Sequence, residues 1–146
     1  MRKVSIAFLV FICLCSVCVN ANATEKQRKI TIDQAKMLVL ATLTPKQRRL
    51  PGLVAISEKD MGVSDKDLDS SRYYSFTVVW DSHKEGVFGN YVVDTYTGDV
   101  FDGVMEDCDG YSNKKLRALQ KQIRHSLHLT NAQYKKIKTK GPMCVD

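Results

Sequence analysis

The three histidines of this sequence are candidates for metal binding or catalysis. His125 and His128 lie three residues apart, so on a helix the two imidazoles could share a face and a metal ion. Neither an H-E-x-x-H motif nor an evident third ligand accompanies them. His83 lies in a polar connection between predicted strands. We therefore expect partly exposed histidines and no metal site.

Two groups of acids are the next candidates for chemistry. Asp65, Asp67 and Asp69 alternate like the ligands of a calcium loop, but the sixth and twelfth positions hold Ser70 and Phe76. An EF-hand needs Gly and Glu at those positions, so a solvated loop is the prediction. A second acidic group is expected to contact the basic helices rather than a cation: Glu106, Asp107 and Asp109.

The motifs of common enzymes are missing from the sequence. It contains no G-x-S-x-G nucleophile elbow and no glycine-rich phosphate loop. Its carboxylates are numerous, but no pair is marked as catalytic. The sequence therefore predicts a protein that is not an enzyme and needs no cofactor. A small secreted hydrolase that uses loop carboxylates and a histidine is the alternative.

The first 23 residues have the pattern of an export signal. Arg2 and Lys3 precede a nearly unbroken apolar run over residues 4–19, and Ala21-Asn22-Ala23 supplies small residues for cleavage. The run is shorter than the ~20 apolar residues that a membrane-spanning helix needs. We expect a mature chain that begins at Thr24, forms a single domain over 24–146, and is periplasmic or secreted without stable membrane insertion.

Cleavage of the signal changes the cysteine count. Of the five cysteines, Cys13, Cys15 and Cys18 lie in the signal, so Cys108 and Cys144 remain. Two cysteines in an oxidising compartment predict a disulfide, which here would close a loop of about 35 residues and stabilise the fold by about 3–4 kcal/mol. A metal pair would lack nearby histidines, and a redox couple would lack the C-x-x-C spacing.

Charge is unevenly distributed along the chain, whose formal net charge is +6. Residues 24–49 and 113–146 are basic, whereas residues 50–112 carry thirteen acids against four Lys/Arg. This pattern predicts basic helices against an acidic sheet edge or loop. An exported chain with an acidic centre is unlike a nucleic-acid binder, so an acidic protein partner or an anionic envelope surface is preferred. The predicted partner-binding residues are Trp80, Lys114, Lys115, Lys121 and Arg124.

Helix and strand signals place these residues in an α+β fold. Thr31-Ile32-Asp33-Gln34 is a capping box that opens a helix at 32–43, and Pro45 prevents its continuation. A basic link and a turn follow. Further helices are predicted at 112–128 and 131–138, and strands at 53–56, 73–80, 87–94 and 99–105. We expect an antiparallel meander of three to four strands, with the N-terminal helix and the C-terminal helices packed on one face.

The strand over residues 73–80 alternates in a way that predicts its buried face. Tyr74, Phe76, Val78 and Trp80 share one side, which we expect to be the core. Trp80 could instead be an exposed anchor for a partner. In the next strand, Gly89 predicts a bulge or a close approach of the backbone.

Two segments resemble PepSY domains over roughly residues 30–104. Ile30-Thr31-Ile32-Asp33-Gln34-Ala35 resembles the start of their helix, and the segment 91–100 resembles their closing hairpin, with Val-Asp, then Thr-Gly, then an acid and Val. PepSY domains are small exported or membrane-attached modules with one helix on an antiparallel sheet. They occur in propeptides of secreted peptidases, so the resemblance implies binding or inhibition rather than catalysis.

These observations together predict an exported, non-enzymatic protein-binding module. The specific hypotheses are an inhibitor of a secreted peptidase or other hydrolase, and an immunity protein against an envelope-active toxin. The partner would be another exported protein. Besides the small hydrolase, an envelope sensor or ligand-binding domain with a pocket between helix and sheet is an alternative.

Overall fold

The computed structural model describes residues 28–59, 72–80, 86–104 and 110–142. It has the predicted α+β fold, with a four-stranded antiparallel sheet and helices. The helices are α1 (Ile32–Thr42), α2 (Lys114–Ser126) and α3 (Asn131–Ile137). The strands are β1 (Val54–Ser57), β2 (Tyr73–Val79), β3 (Val87–Asp94) and β4 (Val100–Asp102), and their spatial order is β1-β2-β3-β4.

The start of α1 is fixed by the predicted capping box. The Gln34 amide donates to Thr31 Oγ1 at 3.2 Å, and the Thr31 amide donates to Gln34 Oε1 at 2.8 Å. Both groups would otherwise be amides without a partner at a helix end. Ala35, Leu38 and Val39 are fully buried, so α1 contributes an apolar stripe to the core.

The sheet presents one face to α1. Phe76 pairs with Tyr91, and Val93 pairs with both Tyr74 and Val100, so these side chains lie on the same side. Phe76, Val93 and Val100 are fully buried. The prediction that this face of β2 forms the core is confirmed for Phe76 and Val78, which is also fully buried.

The end of β2 differs from the prediction. Trp80 is 40% exposed and follows the last residue of the strand, so its assignment to the core was wrong. The register shifts between Val78 and Val79, opposite Gly89, which has a φ of +155°. Val78 pairs with Gly89 and Val79 pairs with Val87, so the extra residue of the bulge predicted at Gly89 is Phe88 in β3. Trp80 then packs beside Phe88, with ring centroids 6.3 Å apart.

Helix α2 is joined to the end of α1 through its N-cap. Asn113 Oδ1 accepts from the Leu116 amide at 2.9 Å, while Asn113 Nδ2 donates to the Ala41 carbonyl at 2.9 Å. One side chain therefore caps one helix and satisfies a carbonyl of the other. Leu116 and Ile123 enter the same core as α1, which places the two helices in one layer.

The C-terminus of α2 corrects the predicted helix end. The helix stops at Ser126, and His128 takes a φ of +58°. The Leu129 amide donates to the Arg124 carbonyl and the His128 amide to the His125 carbonyl, which are the two bonds of a Schellman motif. His128 therefore occupies a position that usually holds Gly, and it does not share a helical face with His125.

The remaining segments agree with the sequence in type and differ in extent. Helix α3 opens with the second predicted capping box, in which Thr130 and Gln133 bond reciprocally. The basic link after α1 contains a short 3-10 helix at Gln47–Arg49, which the sequence analysis missed. None of the helices in the described ranges has the length and apolar character that spanning a membrane requires.

Candidate functional site

The turn between β3 and β4 is organised by a fully buried carboxylate, Asp94. Its Oδ1 accepts from the amides of Tyr96 at 2.8 Å and Thr97 at 3.2 Å, while its Oδ2 accepts from Arg72 Nε at 3.0 Å and from Arg72 NH2 at 2.9 Å. Gly98, with a φ of +70°, completes the turn in a region where L side chains are strained. One side chain thus shapes the turn and neutralises a cation.

Arg72 extends this network toward the end of α3. Its NH2 also donates to the Ile137 carbonyl at 2.7 Å. Burial alone would lower the pKa of Arg72, but the hydrogen bonds and charge of Asp94 outweigh it and leave the pKa raised above its ordinary value. The guanidinium is therefore a permanent positive charge that joins β2, the turn and α3.

A second carboxylate, Asp99, joins the same turn to α2 and α3. Arg124 NH2 donates to Asp99 Oδ1 at 2.6 Å, and Arg124 Nε donates to the Thr97 carbonyl at 2.7 Å. The Tyr134 hydroxyl donates to Asp99 Oδ2 at 3.1 Å, and Gln120 Nε2 donates to the Gly98 carbonyl at 3.0 Å. The basic helix thus meets an acidic loop, which is the arrangement that the charge pattern predicts.

A cleft lies beside Asp99, between the turn, α2 and the chain that follows α3. Its volume is about 530 Å³. Four of its twelve lining residues carry positive charge, namely Arg117, Arg124, Lys138 and Lys140. Asp99 is the one acid among its described lining residues.

The cleft lies in a strongly basic part of the molecule. Residues 110–142, which we call the basic helical segment, contain nine Lys/Arg and neither Asp nor Glu. Eight of the nine cations are exposed, and the exception is Arg124. The basic helical segment itself therefore contributes only positive formal charge, which attracts anions.

The predicted partner-binding residues do not all occupy one place. Lys114, Lys115 and Lys121 are exposed on α2, outside the lining of the cleft. Arg124 lines the cleft but is held by Asp99, and Trp80 lies at the end of β2. Partner contacts by these residues remain predictions. Arg117, Lys138 and Asp99 were not predicted as site residues from the sequence, because only the fold brings them together.

Several predicted features lie outside the described residues. These are the disulfide between Cys108 and Cys144, His83, and both acidic groups. Gly110 and Lys140, which follow Cys108 and precede Cys144 in the chain, line the same cleft, but the disulfide itself remains a prediction. Among the residues that the structure does describe, no group of three His, Cys, Asp or Glu side chains could hold a metal ion.

The pKa of the Tyr134 phenol depends on its burial and on its contact with Asp99. Burial, with the nearby charge of Asp99, raises the pKa of Tyr134 above its ordinary value near 10. A raised pKa in the folded state adds stability that is complete below the unfolded-state pKa and is lost as the pH rises through the folded-state pKa. We expect Tyr134→Phe to remove a late component from the tyrosine absorbance titration at 295 nm.

A second late component belongs to Tyr91, whose pKa is raised mainly by burial. It should therefore persist in Tyr134→Phe and disappear in Tyr91→Phe, which makes each variant the control of the other. In urea both components should move to the ordinary range. Titration of Tyr134 in the native protein at or below its ordinary pKa near 10 would contradict this account.

Comparison with known proteins gives one structural similarity. The search of family models and the search of curated proteins gave no match. Among solved structures, the chain is similar to a chain from a type VI secretion system effector–immunity complex of Pseudomonas protegens. The similarity has a TM-score of 0.52 at 23% sequence identity and covers 74% of this chain and 85% of that chain. At this identity the similarity establishes the fold they share.

Proposed function

We propose that this chain is an exported, non-enzymatic immunity protein that binds a toxin acting in the cell envelope and blocks it. The observation that carries the proposal is the fold shared with a chain of an effector–immunity complex, over most of both chains. Export rests on the predicted signal at residues 1–23.

The geometry of the site favours binding over catalysis. The two buried carboxylates, Asp94 and Asp99, are each held by an arginine and by further donors. Groups held in this way fix elements in place and have little freedom to accept or donate a proton during a reaction. What the described surface does offer is a cleft and a large excess of positive charge, both suited to a charged protein partner.

Inhibition of a secreted peptidase is the second candidate. This candidate rests on the PepSY resemblance of residues 30–104, in which helix α1 and the four described strands lie. Both candidates require a rigid module that binds an exported protein. They differ in whether the partner kills a cell or degrades a substrate.

A protection experiment tests the immunity proposal. The product of a neighbouring gene would be directed to the periplasm of a host cell, with and without this chain. We expect the full chain to restore growth and a version lacking residues 2–23 to fail, because the toxin acts on the other side of the membrane. Protection by neither version, together with no complex between the purified proteins, would refute the proposal for that partner.

A further inference from the structure

We propose that the cleft beside Asp99 receives an acidic segment of the partner protein, whose carboxylates bind Arg117 and Lys138. This inference rests on the proposed function, because it assigns the contact surface and its chemistry to the same partner. Arg117 and Lys138 both line the cleft and are both exposed, so a partner could reach them without unfolding any part of the module.

Among the described residues that line the cleft, positive charges outnumber negative ones. Asp99 is matched by Arg124, whose NH2 lies 2.6 Å from Asp99 Oδ1. Arg117 NH1 donates to the Ser112 hydroxyl at 2.9 Å, and this neutral partner does not compensate the charge of the guanidinium. Lys138 adds a second positive charge at the end of α3. A ligand that carries two or more carboxylates would complete this arrangement.

The cleft is also held in shape before a partner arrives. Tyr134 and Gln120, from two different helices, donate to Asp99 or to the adjacent Gly98 carbonyl. Thr139, beyond α3, is hydrogen-bonded to the Tyr73 hydroxyl of β2 at 3.2 Å. A preorganised site avoids much of the entropy cost of ordering its side chains, which favours specific binding over loose attraction.

The aromatic residues of the cleft favour an acidic protein over a nucleic acid. Binding of unpaired bases uses exposed aromatic faces on which the bases stack. Here the Tyr134 ring is covered by the Arg124 guanidinium at 3.8 Å, and the Tyr111 ring packs on Tyr91 with centroids 5.3 Å apart. An anionic membrane is also a poor fit, because a broad bilayer surface does not enter a concave cleft.

Paired neutralising variants test the location. Arg117→Gln with Lys138→Gln removes two charges from the cleft, while Lys121→Gln with Lys136→Gln removes two exposed charges outside its lining. We expect the first pair to weaken binding of the isolated partner at least about tenfold and the second less than about threefold. Equal weakening by the two pairs would overturn the proposal, since it would show general attraction rather than a site.

A probe that needs no identified partner separates this inference from the proposed function. A short oligoglutamate peptide would be titrated into the purified protein and followed by amide NMR, beside an oligothymidylate and vesicles of phosphatidylglycerol. We expect the peptide to shift amides around Gln120 and Thr139, and the cleft variant to abolish those shifts. Peptide shifts confined to other surfaces, or preferential binding of the oligothymidylate or the vesicles at the cleft, would overturn the assignment.

The two tests fail in different ways. If a toxin is bound and the cleft variant binds it as tightly as the native protein, the proposed function stands and the cleft assignment is wrong. If the peptide binds in the cleft and no toxin is neutralised, the acid-binding site stands and the immunity role is wrong.

Discussion

Replacing Asp94 with Ala should destabilise this protein by about 4 kcal/mol, because it removes one partner of a buried ion pair. Asp94 is fully buried and Arg72 is 27% exposed, so the arginine would lose its counter-charge in a poorly solvated position. The amides of Tyr96 and Thr97 would lose their acceptor as well. A loss of this size is a large fraction of the ~5–15 kcal/mol by which domains are usually stable.

Asp94→Asn separates the charge from the turn. Asparagine keeps a carbonyl oxygen for the two turn amides and presents an NH2 group to Arg72 in place of a carboxylate oxygen. We expect a loss of about 2–3 kcal/mol for this variant, between the native protein and Asp94→Ala. If Asp94→Ala does not fold, Asp94→Asn still measures the loss of the ion pair.

Urea unfolding followed by far-UV circular dichroism and by the fluorescence of the single tryptophan would measure both losses. The surface variant Asp33→Asn is the control, since Asp33 is exposed in the first turn of α1. Its expected loss is below about 1 kcal/mol. An Asp94→Asn protein as stable as the native one would show that the ion pair makes no net contribution to stability.

The elements that sequence alone predicted well are those specified by neighbouring residues. The capping boxes at Thr31 and Thr130 depend on a residue three positions later, and both form. Strand β3 has the predicted bounds of 87–94, because its β-rich run is followed at once by a Thr-Gly turn. Local patterns of this kind fix the ends of an element before any tertiary contact is made.

The elements that were predicted poorly depend on contacts distant in sequence. Asp94 and Asp99 lie in the sequence of a hairpin, and their arginine partners are 22 and 25 residues away. Trp80 belongs by alternation to the core face, but β2 ends at Val79, beside the bulge that Phe88 and Gly89 form in β3. A period-two pattern contains no information about where a partner strand inserts an extra residue.

The candidate site was predicted only in part for the same physical reason. The excess of Lys and Arg near the C-terminus is visible in the sequence, so Lys114, Lys115, Lys121 and Arg124 were singled out by composition. Which cations line a cleft depends on how α2 and the chain after α3 approach the β3–β4 turn. Asp99 sets that approach by accepting hydrogen bonds from Arg124 and Tyr134, two residues that are distant from it in sequence.

Breaking the pair of Asp99 and Arg124 should therefore affect both stability and binding. We expect Asp99→Asn and Arg124→Met to cost about 2–3 kcal/mol each, with the arginine change the larger. Arg124 also donates to the Thr97 carbonyl at 2.7 Å and covers the Tyr134 ring at 3.8 Å, and both contacts disappear with it. The asparagine in Asp99→Asn would keep an acceptor for the Tyr134 hydroxyl, which limits the loss in that variant.

A double-mutant cycle measures how far the two residues act together. The double variant should lose less than the sum of the single losses, by about 1–2 kcal/mol, because the second change removes a group that the first had already left unpaired. Strictly additive losses would show that the 2.6 Å contact carries no coupling energy.

Binding of the oligoglutamate peptide should also weaken in those variants of Asp99 and Arg124 that remain folded. We expect them to bind it more weakly than the control pair Lys121→Gln with Lys136→Gln does, although Asp99→Asn makes the cleft more positive. Weaker binding by Asp99→Asn, despite its added positive charge, would show that the pair of Asp99 and Arg124 acts by holding α2 and α3 in position. Tighter binding would show that the net charge of the cleft alone determines its affinity for the peptide.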